Sequence, residues 1–208
     1  MNAFILAGGQ STRMGRDKAR LEFRGHPLIE HALDKLHALG FSACIVGNRP
    51  DLAAYAPLLT DNYPASGPLA GVEAALSASD ASLNLFLPVD LPLLPVDFLR
   101  WMTDRASETS ALATIPCQQN RPQPLCAVYN RELLPHVQRA LRAGDRKVIH
   151  TIEHAAVATG SKLDCFHIET VATCLDFSAA EPVHRWFQNL NTPADLQIAA
   201  LEELPFIQ

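Results

Sequence analysis

The sequence predicts an α/β fold with three layers: a mostly parallel central sheet with helices on both faces. Short apolar runs alternate with segments of helical periodicity along most of the chain, which is the pattern of strand–helix–strand units in a parallel sheet. The chain has 208 residues, of which 48% are hydrophobic and 19% charged, so it is long and apolar enough to bury a core. We therefore expect a single domain over residues 1–208.

The first half of the chain holds the clearest strand and helix signals. The apolar run at residues 3–7 ends at Gly8 and Gly9, as a buried strand that leads into a loop does. Leucines at helical spacing follow Pro27 as far as Gly40, which predicts a helix with a glycine at its end. We also predict, in order, a strand at 43–46, a helix from Pro68, a strand at 83–89 and a helix from Pro95.

The second half predicts strands at 111–115 and 125–129, a helix that ends at Gly144 and a short helix at about 146–156. Thr192 is expected to cap a last helix that begins at Pro193, whereas residues 160–191 show no clear pattern. Ligands of such sheets bind beyond the carboxyl ends of the strands. We therefore expect the loops after residue 7, after residue 46 and at Asp90 to share one edge of the sheet.

The charge of the chain is distributed unevenly. Lys and Arg number 17 against 22 Asp and Glu, for a net charge of −5, which argues against a nucleic-acid partner. Basic residues nevertheless outnumber acidic ones in two short stretches, 13–24 and 139–147. Two basic stretches on an acidic chain indicate two local sites for anionic ligands.

The cysteines and the apolar runs bear on location. The five cysteines are odd in number and form no CxxC pair, which argues against a disulfide framework or a zinc site. No basic segment precedes the first apolar run, and no apolar run approaches the ~18 residues of a membrane span. We expect reduced thiols, a cytoplasmic location and no membrane partner.

The loop after the first strand has the composition of a phosphate-binding loop. Gly8, Gly9 and Gly15 allow the backbone to approach a ligand and to present N–H groups to it. Arg13 and Lys18 add positive charge, so the loop suits a nucleoside triphosphate. It is neither a Walker A loop nor a GxGxxG motif, because its glycine spacing differs from both.

Two further segments are expected at the same edge. Gly67 and Pro68 start a helix whose N–H groups would face that edge, and Gly71 would let the helix lie close to a flat base or to the first loop. Asp90 ends an apolar strand between two prolines, and a carboxylate there is well placed to hold Mg²⁺ that bridges phosphates.

Two motifs in the second half have competing interpretations. The stretch 139–147 suits a second phosphate-bearing ligand, or it is a solvated junction between helices. His150 and His154 lie in an HxxEH string that matches an inverted zincin motif. Apolar neighbours such as Ile149 and Ile152 favour an ordinary core helix instead.

Taken together, these strings resemble the molybdenum cofactor guanylyltransferase (MobA) family over nearly the whole chain. Leu6-Ala-Gly-Gly and Arg13-Met-Gly with Asp17-Lys18 are shared with many nucleotidyltransferases, whereas Gly67-Pro68-Leu69-Ala-Gly71 and Asn189-Leu-Asn191-Thr-Pro193 are narrower. The strings at 88–90, 123–129, 143–148 and 176–178 also match. The loop is one residue shorter than the common Arg-Met-Gly-Gly-x-Asp-Lys, and Leu91 stands where threonine is common.

The resemblance implies a Rossmann-like nucleotidyltransferase that transfers GMP from GTP to the terminal phosphate of molybdopterin bearing molybdenum and releases pyrophosphate. Its nucleotide-binding part would be about 1–110 and its acceptor-binding part about 111–208. Its partners would be GTP and a molybdopterin-type acceptor. Proteins of cofactor biosynthesis or molybdoenzyme maturation would be candidate transient partners.

The same resemblance assigns residues by position. Catalysis would depend on Arg13, Lys18 and Asp90, with Asp90 as the Mg²⁺ ligand. Nucleotide contacts would come from Leu6, Ala7, Gly8, Gly9, Gly15, Lys18, Asn48, Asp61, Gly67, Pro68, Leu69, Gly71 and Asp90. Acceptor contacts would come from Arg146, Lys147, Asn189 and Asn191.

Two alternatives stay open on the sequence. One is a related nucleotidyltransferase that uses CTP or another phosphate acceptor. The other is a nucleotide-binding adaptor that delivers a cofactor without turnover, although the charged residues Arg13, Lys18 and Asp90 argue for catalysis.

Overall fold

A computed structural model describes residues 1–8, 17–174 and 181–201 of the chain. Its strands are β1 (Asn2–Leu6), β2 (Glu22–Phe23), β3 (His26–Pro27), β4 (Ala43–Val46), β5 (Leu58–Leu59), β6 (Leu83–Pro88), β7 (Ala113–Gln118), β8 (Arg121–Pro122), β9 (Ala127–Asn130) and β10 (Leu163–His167). Its α-helices are α1 (Leu28–Ala38), α2 (Pro68–Ala78), α3 (Val96–Thr109), α4 (Leu134–Arg142), α5 (Val148–Thr159), α6 (Ile168–Cys174) and α7 (Pro193–Leu201).

The described strands form one large sheet and a small hairpin. The order in the large sheet is β10-β7-β9-β6-β1-β4-β5, with β8 beside β7, while β2 and β3 pair separately. Strands β5, β4, β1 and β6 run parallel, and so do β7 and β10. Strand β9 is antiparallel to both of its neighbours, so the sheet is mostly parallel, as predicted.

Alternate residues of the central strands face opposite layers of helices. Ala3 and Ile5 of β1 pack in the cluster that contains α1 and α3. Phe4 packs in the second cluster, with α2, α4 and α5. The two clusters are the two hydrophobic cores of a three-layer α/β fold, and this confirms the predicted fold class.

Local signals located several boundaries correctly. Strand β4 covers the predicted residues, and α2 begins at Pro68. Thr192 caps α7, because its Oγ1 accepts a hydrogen bond from the Asp195 N–H at 3.1 Å while the Asp195 carboxylate accepts from the N–H groups of Asn191 and Thr192. The region without a clear pattern contains β10 and α6, and β10 pairs with β7 at the edge of the sheet.

The structure bears on the cysteines and on the membrane. All five cysteines are free thiols, as predicted. Among the described residues, no helix combines the length and the apolar character needed to cross a bilayer.

Candidate active site

The carboxyl ends of β1, β4 and β6 meet at one edge of the sheet. The Ala7 N–H donates to the Val46 carbonyl at 3.1 Å, and the Val89 N–H donates to the Leu6 carbonyl at 3.2 Å. The described starts of the loops that follow these three strands therefore lie side by side, as the sequence predicts. In a parallel sheet this edge is the usual place for a ligand.

Gly47 brings two of these loops into direct backbone contact. Its φ is +142°, and a Cβ at this position would lie 3.0 Å from both the Cα and the N of Gly8. Only a residue without a side chain fits between the end of β4 and the start of the first loop. The sequence predicts a loop after residue 46 but not this close backbone contact.

Lys18, Asp90 and Asn191 come together at this edge. The Lys18 ammonium Nζ lies 3.6 Å from Asp90 Oδ2 and donates a hydrogen bond to Asn191 Oδ1. The backbone supports the same arrangement, since the Leu190 N–H donates to the Asp90 carbonyl at 3.1 Å. Asn191, which is predicted for acceptor binding, thus contacts Lys18, which is predicted for catalysis, and the neighbouring Leu190 contacts Asp90.

Asp90 is largely withdrawn from water, with 18% of its side chain exposed. Burial raises the pKa of this carboxyl above its ordinary value, and the positive charge of Lys18 opposes that rise in part. The charged carboxylate is therefore only partly compensated by the protein, and a further cation nearby would favour its ionised form.

The donor set around Asp90 decides whether this position fits Mg²⁺. The described residues contain no group of three or more His, Cys, Asp or Glu side chains that could hold a metal ion. Mg²⁺ is commonly bound by one or two carboxylates together with water and substrate phosphates. Asp90 therefore fits a magnesium ion that is held mainly by a bound triphosphate.

Asp61 lies beside Gly71 of α2, near the ends of β1 and β4. Its Oδ1 is buried and has no hydrogen-bond donor within the described part of the chain, and burial raises the pKa of its carboxyl. A Cβ at Gly71 would lie 3.3 Å from Leu6 Cδ2 and 3.8 Å from Asp61 Oδ1. A buried acceptor without a donor in the protein is free to accept a hydrogen bond from water or from a ligand.

The start of α2 has the geometry that its sequence predicts. Gly67 precedes the helix with a φ of +70°, and Pro68 occupies the first turn. The first turns of α2 pack against the ends of β1 and β4, because even a Cβ added at Gly71 would lie 3.3 Å from Leu6 Cδ2 and 3.4 Å from Val46 Cγ1. The helix N-terminus, with its partial positive charge, therefore lies close to the candidate site.

An ion-pair network that the sequence did not reveal surrounds Asp17. The Arg49 guanidinium binds the Asp51 carboxylate through Nε at 2.9 Å and Nη2 at 2.7 Å, and it also binds Asp17. Asp17 in turn caps the short helical turn Lys18–Arg20, because its Oδ1 accepts from the Ala19 N–H at 3.1 Å. Arg49 thus supports the turn that carries Lys18, a contact that residue spacing alone does not predict.

Other residues assigned from the sequence are not drawn into this cluster. Asn48 is exposed beside Gly47, and Asn189 is exposed one residue before Leu190. Arg146 and Lys147 are exposed before α5, and within the described residues no ion pair links them to Asp90. The predicted residues Gly9, Arg13 and Gly15, and the string 176–178, lie outside the described residues.

The HxxEH string has an ordinary structural explanation. His150 and His154 lie on one face of α5 with ring centroids 4.0 Å apart. His150 Nδ1 is 2.6 Å from Asp145 Oδ2, and Ile152 is fully buried in the core. These contacts favour the core-helix interpretation of the string.

Known proteins resemble this chain over most of its length. Residues 3–157 match the family model described as a MobA-like NTP transferase domain. The chain is 34% identical to a molybdenum cofactor guanylyltransferase of Photobacterium profundum, over 93% of this chain and 92% of the relative. It is 32% identical to the enzyme of the same name from Vibrio atlanticus, over 92% of this chain and 91% of the relative.

A solved structure supports the same fold. The molybdopterin-guanine dinucleotide biosynthesis protein A of Archaeoglobus fulgidus superposes with a TM-score of 0.76 and 24% identity, over 96% of each chain. The fold is therefore the Rossmann-like nucleotidyltransferase fold that the resemblance implied. Since the family model covers most of the chain and relatives above 30% identity cover nearly all of it, this chain belongs to the family of MobA-like NTP transferases.

Proposed function

We propose that this protein transfers GMP from GTP to the terminal phosphate of molybdopterin bearing molybdenum and releases pyrophosphate. The names of its relatives support this activity. The observation that carries it is the cluster at the sheet edge, where Lys18 lies 3.6 Å from Asp90 and Asn191 binds the same ammonium group. A cation, a carboxylate and an amide there suit a triphosphate donor and a phosphate acceptor.

Asp61 supports guanine as the base. Guanine presents two neighbouring donors, the N1–H and the 2-amino group, whereas adenine and cytosine present a ring-nitrogen acceptor at the corresponding edge. The buried Asp61 Oδ1 lacks a donor among the described residues and could accept from guanine. A site built around such an acceptor discriminates strongly against a base that lacks the donor, since the buried group is then left unpaired.

The proposed reaction is an in-line displacement at the α-phosphorus of GTP. An oxygen of the acceptor phosphate forms a bond to that phosphorus, and the bond from the phosphorus to the oxygen that bridges to the β-phosphate breaks. The acceptor is already an anion, so no strong general base is needed, and the protein contributes positioning and charge neutralisation.

The chain's own residues divide this work. Lys18, held by Asn191, would neutralise charge on the triphosphate and the leaving pyrophosphate, together with Arg13. Asp90 would hold Mg²⁺ together with the phosphates, and the bound ion would supply charge stabilisation to the transferring group. We propose that Arg146, Lys147, Asn189 and Asn191 bind the acceptor. The division into a nucleotide-binding part at about 1–110 and an acceptor-binding part at about 111–208 belongs to the same proposal.

The decisive experiment incubates the purified protein with Mg²⁺, molybdopterin carrying molybdenum, and GTP, CTP or ATP in separate reactions. Chromatography should detect the guanine dinucleotide, with pyrophosphate released in equal amount. A faster reaction with CTP would contradict the proposed base, and tight GTP binding without pyrophosphate release would indicate a cofactor-delivering adaptor. A reaction with GTP and a different phosphate acceptor would contradict the proposed acceptor.

Two further expectations belong to this proposal. The free thiols and a GTP substrate favour the cytoplasm, which we propose as the location. We also propose transient contact with proteins of cofactor biosynthesis or molybdoenzyme maturation, which the family membership alone supports.

A further inference from the structure

Glu73 is a buried carboxylate that the proposed reaction does not use. It lies in the second turn of α2, it is 2% exposed, and its neighbours Val72 and Ala74 are also buried. Burial of a carboxylate is costly unless hydrogen bonds compensate the charge. The groups that donate hydrogen bonds to the Glu73 carboxylate therefore indicate the role of this residue.

Three neutral donors surround this carboxylate. Asn62 Nδ2 donates to Oε2 at 2.9 Å. Ser77 Oγ and Gln138 Nε2 donate to Oε1 at 2.8 and 2.9 Å. Ser77 is one helical turn away in α2, whereas Gln138 comes from α4 and Asn62 from the loop between β5 and α2. Glu73 thus links three separate parts of the chain at one buried point.

Asn62 is the contact with consequences for the site, because it follows Asp61 directly. Within the described residues, no side-chain hydrogen bond other than the one from Asn62 to Glu73 joins residues 61–67 to the rest of the fold. Inside the loop, the Ser66 N–H donates to the Tyr63 carbonyl at 3.3 Å. The position of Asp61 and its unpaired Oδ1 therefore depends on how firmly Asn62 is held.

We infer that Glu73 is a positioning residue for base recognition: it holds Asn62, and through Asn62 it keeps the Asp61 carboxylate aimed at the nucleotide base. This inference rests on the proposed function, since it assumes that Asp61 contacts guanine. It also assigns Gln138 a part, because this side chain ties the same carboxylate to α4. The residue acts through the loop and does not touch the nucleotide.

Four variants of the full chain separate positioning from stability. Asn62→Ala removes the donor at an exposed residue and leaves Ser77 and Gln138 on Glu73. Glu73→Ala removes the acceptor for all three donors. Glu73→Gln is the conservative variant, because its amide oxygen can serve Ser77 and Gln138 while the Asn62 amide turns over to accept from its NH₂ group. Ser77→Ala is the matched control, since it removes a donor that has no connection to the loop.

The readout is the Kd for GTP, ATP and CTP in the presence of Mg²⁺, measured by titration calorimetry, with a thermal melt of each variant. We expect Asn62→Ala and Glu73→Ala to weaken GTP binding about tenfold, which is the effect of losing the hydrogen bond from guanine to the Asp61 carboxylate. The Kd values of these variants for ATP and CTP should stay within about twofold of the wild-type values. Glu73→Gln and Ser77→Ala should retain the GTP preference of the wild type. If Glu73→Ala does not fold, Asn62→Ala decides.

The results distinguish failure of this inference from failure of the proposed function. A wild-type protein without a preference for GTP overturns both. A wild-type preference that survives intact in Asn62→Ala overturns the role of Glu73 alone. So does an equal weakening of all three nucleotides, which would mean a general structural effect. A Glu73→Gln variant as weak as Glu73→Ala would also refute positioning through these hydrogen bonds.

Discussion

Replacement of Gly47 by alanine tests the close contact on which the sheet edge depends. The residue has a φ of +142°, and its added Cβ would lie 3.0 Å from two backbone atoms of Gly8 and 3.4 Å from the Ala7 carbonyl carbon. Backbone atoms cannot rotate away as a side chain can. The end of β4 and the start of the first loop must therefore move apart.

The expected cost has two parts. A non-glycine residue at this φ costs about 1–3 kcal/mol, and forcing a methyl group into a filled contact costs about 1–3 kcal/mol more. We expect Gly47→Ala to lose about 2–6 kcal/mol of unfolding free energy. The GTP affinity should fall more than tenfold, because Gly8 begins the predicted phosphate loop and would be displaced.

Gly160→Ala is the matched control. Gly160 also has a positive φ, +67°, but no atom lies within 4 Å of its added Cβ. Equilibrium unfolding in urea should show a loss of about 1–2 kcal/mol for this variant, with the Kd for GTP unchanged. If Gly47→Ala is no less stable than Gly160→Ala, the close approach to Gly8 does not have the importance inferred from the structure.

Three further predictions concern charged groups. Asp90→Asn should lower kcat about 10²–10³-fold in the transfer assay. Its melting temperature should stay at or above that of the wild type, because the substitution removes a poorly solvated charge. Near-normal turnover would contradict the role of Asp90. Because burial raises the Asp90 pKa, the transfer rate should fall on acidification at a pH above the ordinary range of the aspartate pKa. Extra Mg²⁺ should shift this acidic fall in the rate to lower pH. An acidic fall that Mg²⁺ does not shift would argue against Asp90 as the metal ligand. Lys35 donates to the Pro92 carbonyl at 2.7 Å, and burial, with Arg24, lowers its pKa to about 8. Between pH 8 and 10.5 the Lys35 side chain of the unfolded chain therefore holds a proton that the folded protein has released. Over this range the unfolding free energy of the wild type should rise with pH by at most about 3 kcal/mol relative to that of Lys35→Met. Unfolding free energies from urea that change in parallel with pH for the two proteins would refute this.

Part of the fold could be predicted because its signals are local. Proline at the first turn of α2 and the Thr192 cap before α7 act within a few residues, so sequence spacing was enough to find them. The edge strand β10 was missed for a related reason. Its residues Asp164, Cys165 and His167 give it no apolar run, and it forms because β7 supplies its hydrogen-bond partners.

The candidate site divides in the same way. The sequence could predict Lys18, Asp61 and Asp90 as candidate site residues, because a phosphate-rich ligand requires cations and carboxylates at strand ends. The sequence could not show that Asn191 binds Lys18 across 173 positions, or that Arg49 supports the turn that begins at Lys18. Such contacts depend on which loops the sheet order brings together.

The two basic stretches, the glycine-rich loop and the strand–helix alternation are properties of the chain itself, and they were sufficient to predict an α/β fold with a nucleotide at one edge. Other properties exist only in the folded molecule. The reversed direction of β9, the backbone contact of Gly47 with Gly8 and the burial of Glu73 beneath Asn62 and Gln138 each join segments that are distant in sequence. Periodicity and capping report how a segment interacts with itself and with water, whereas these contacts are set by the order and direction in which the strands assemble.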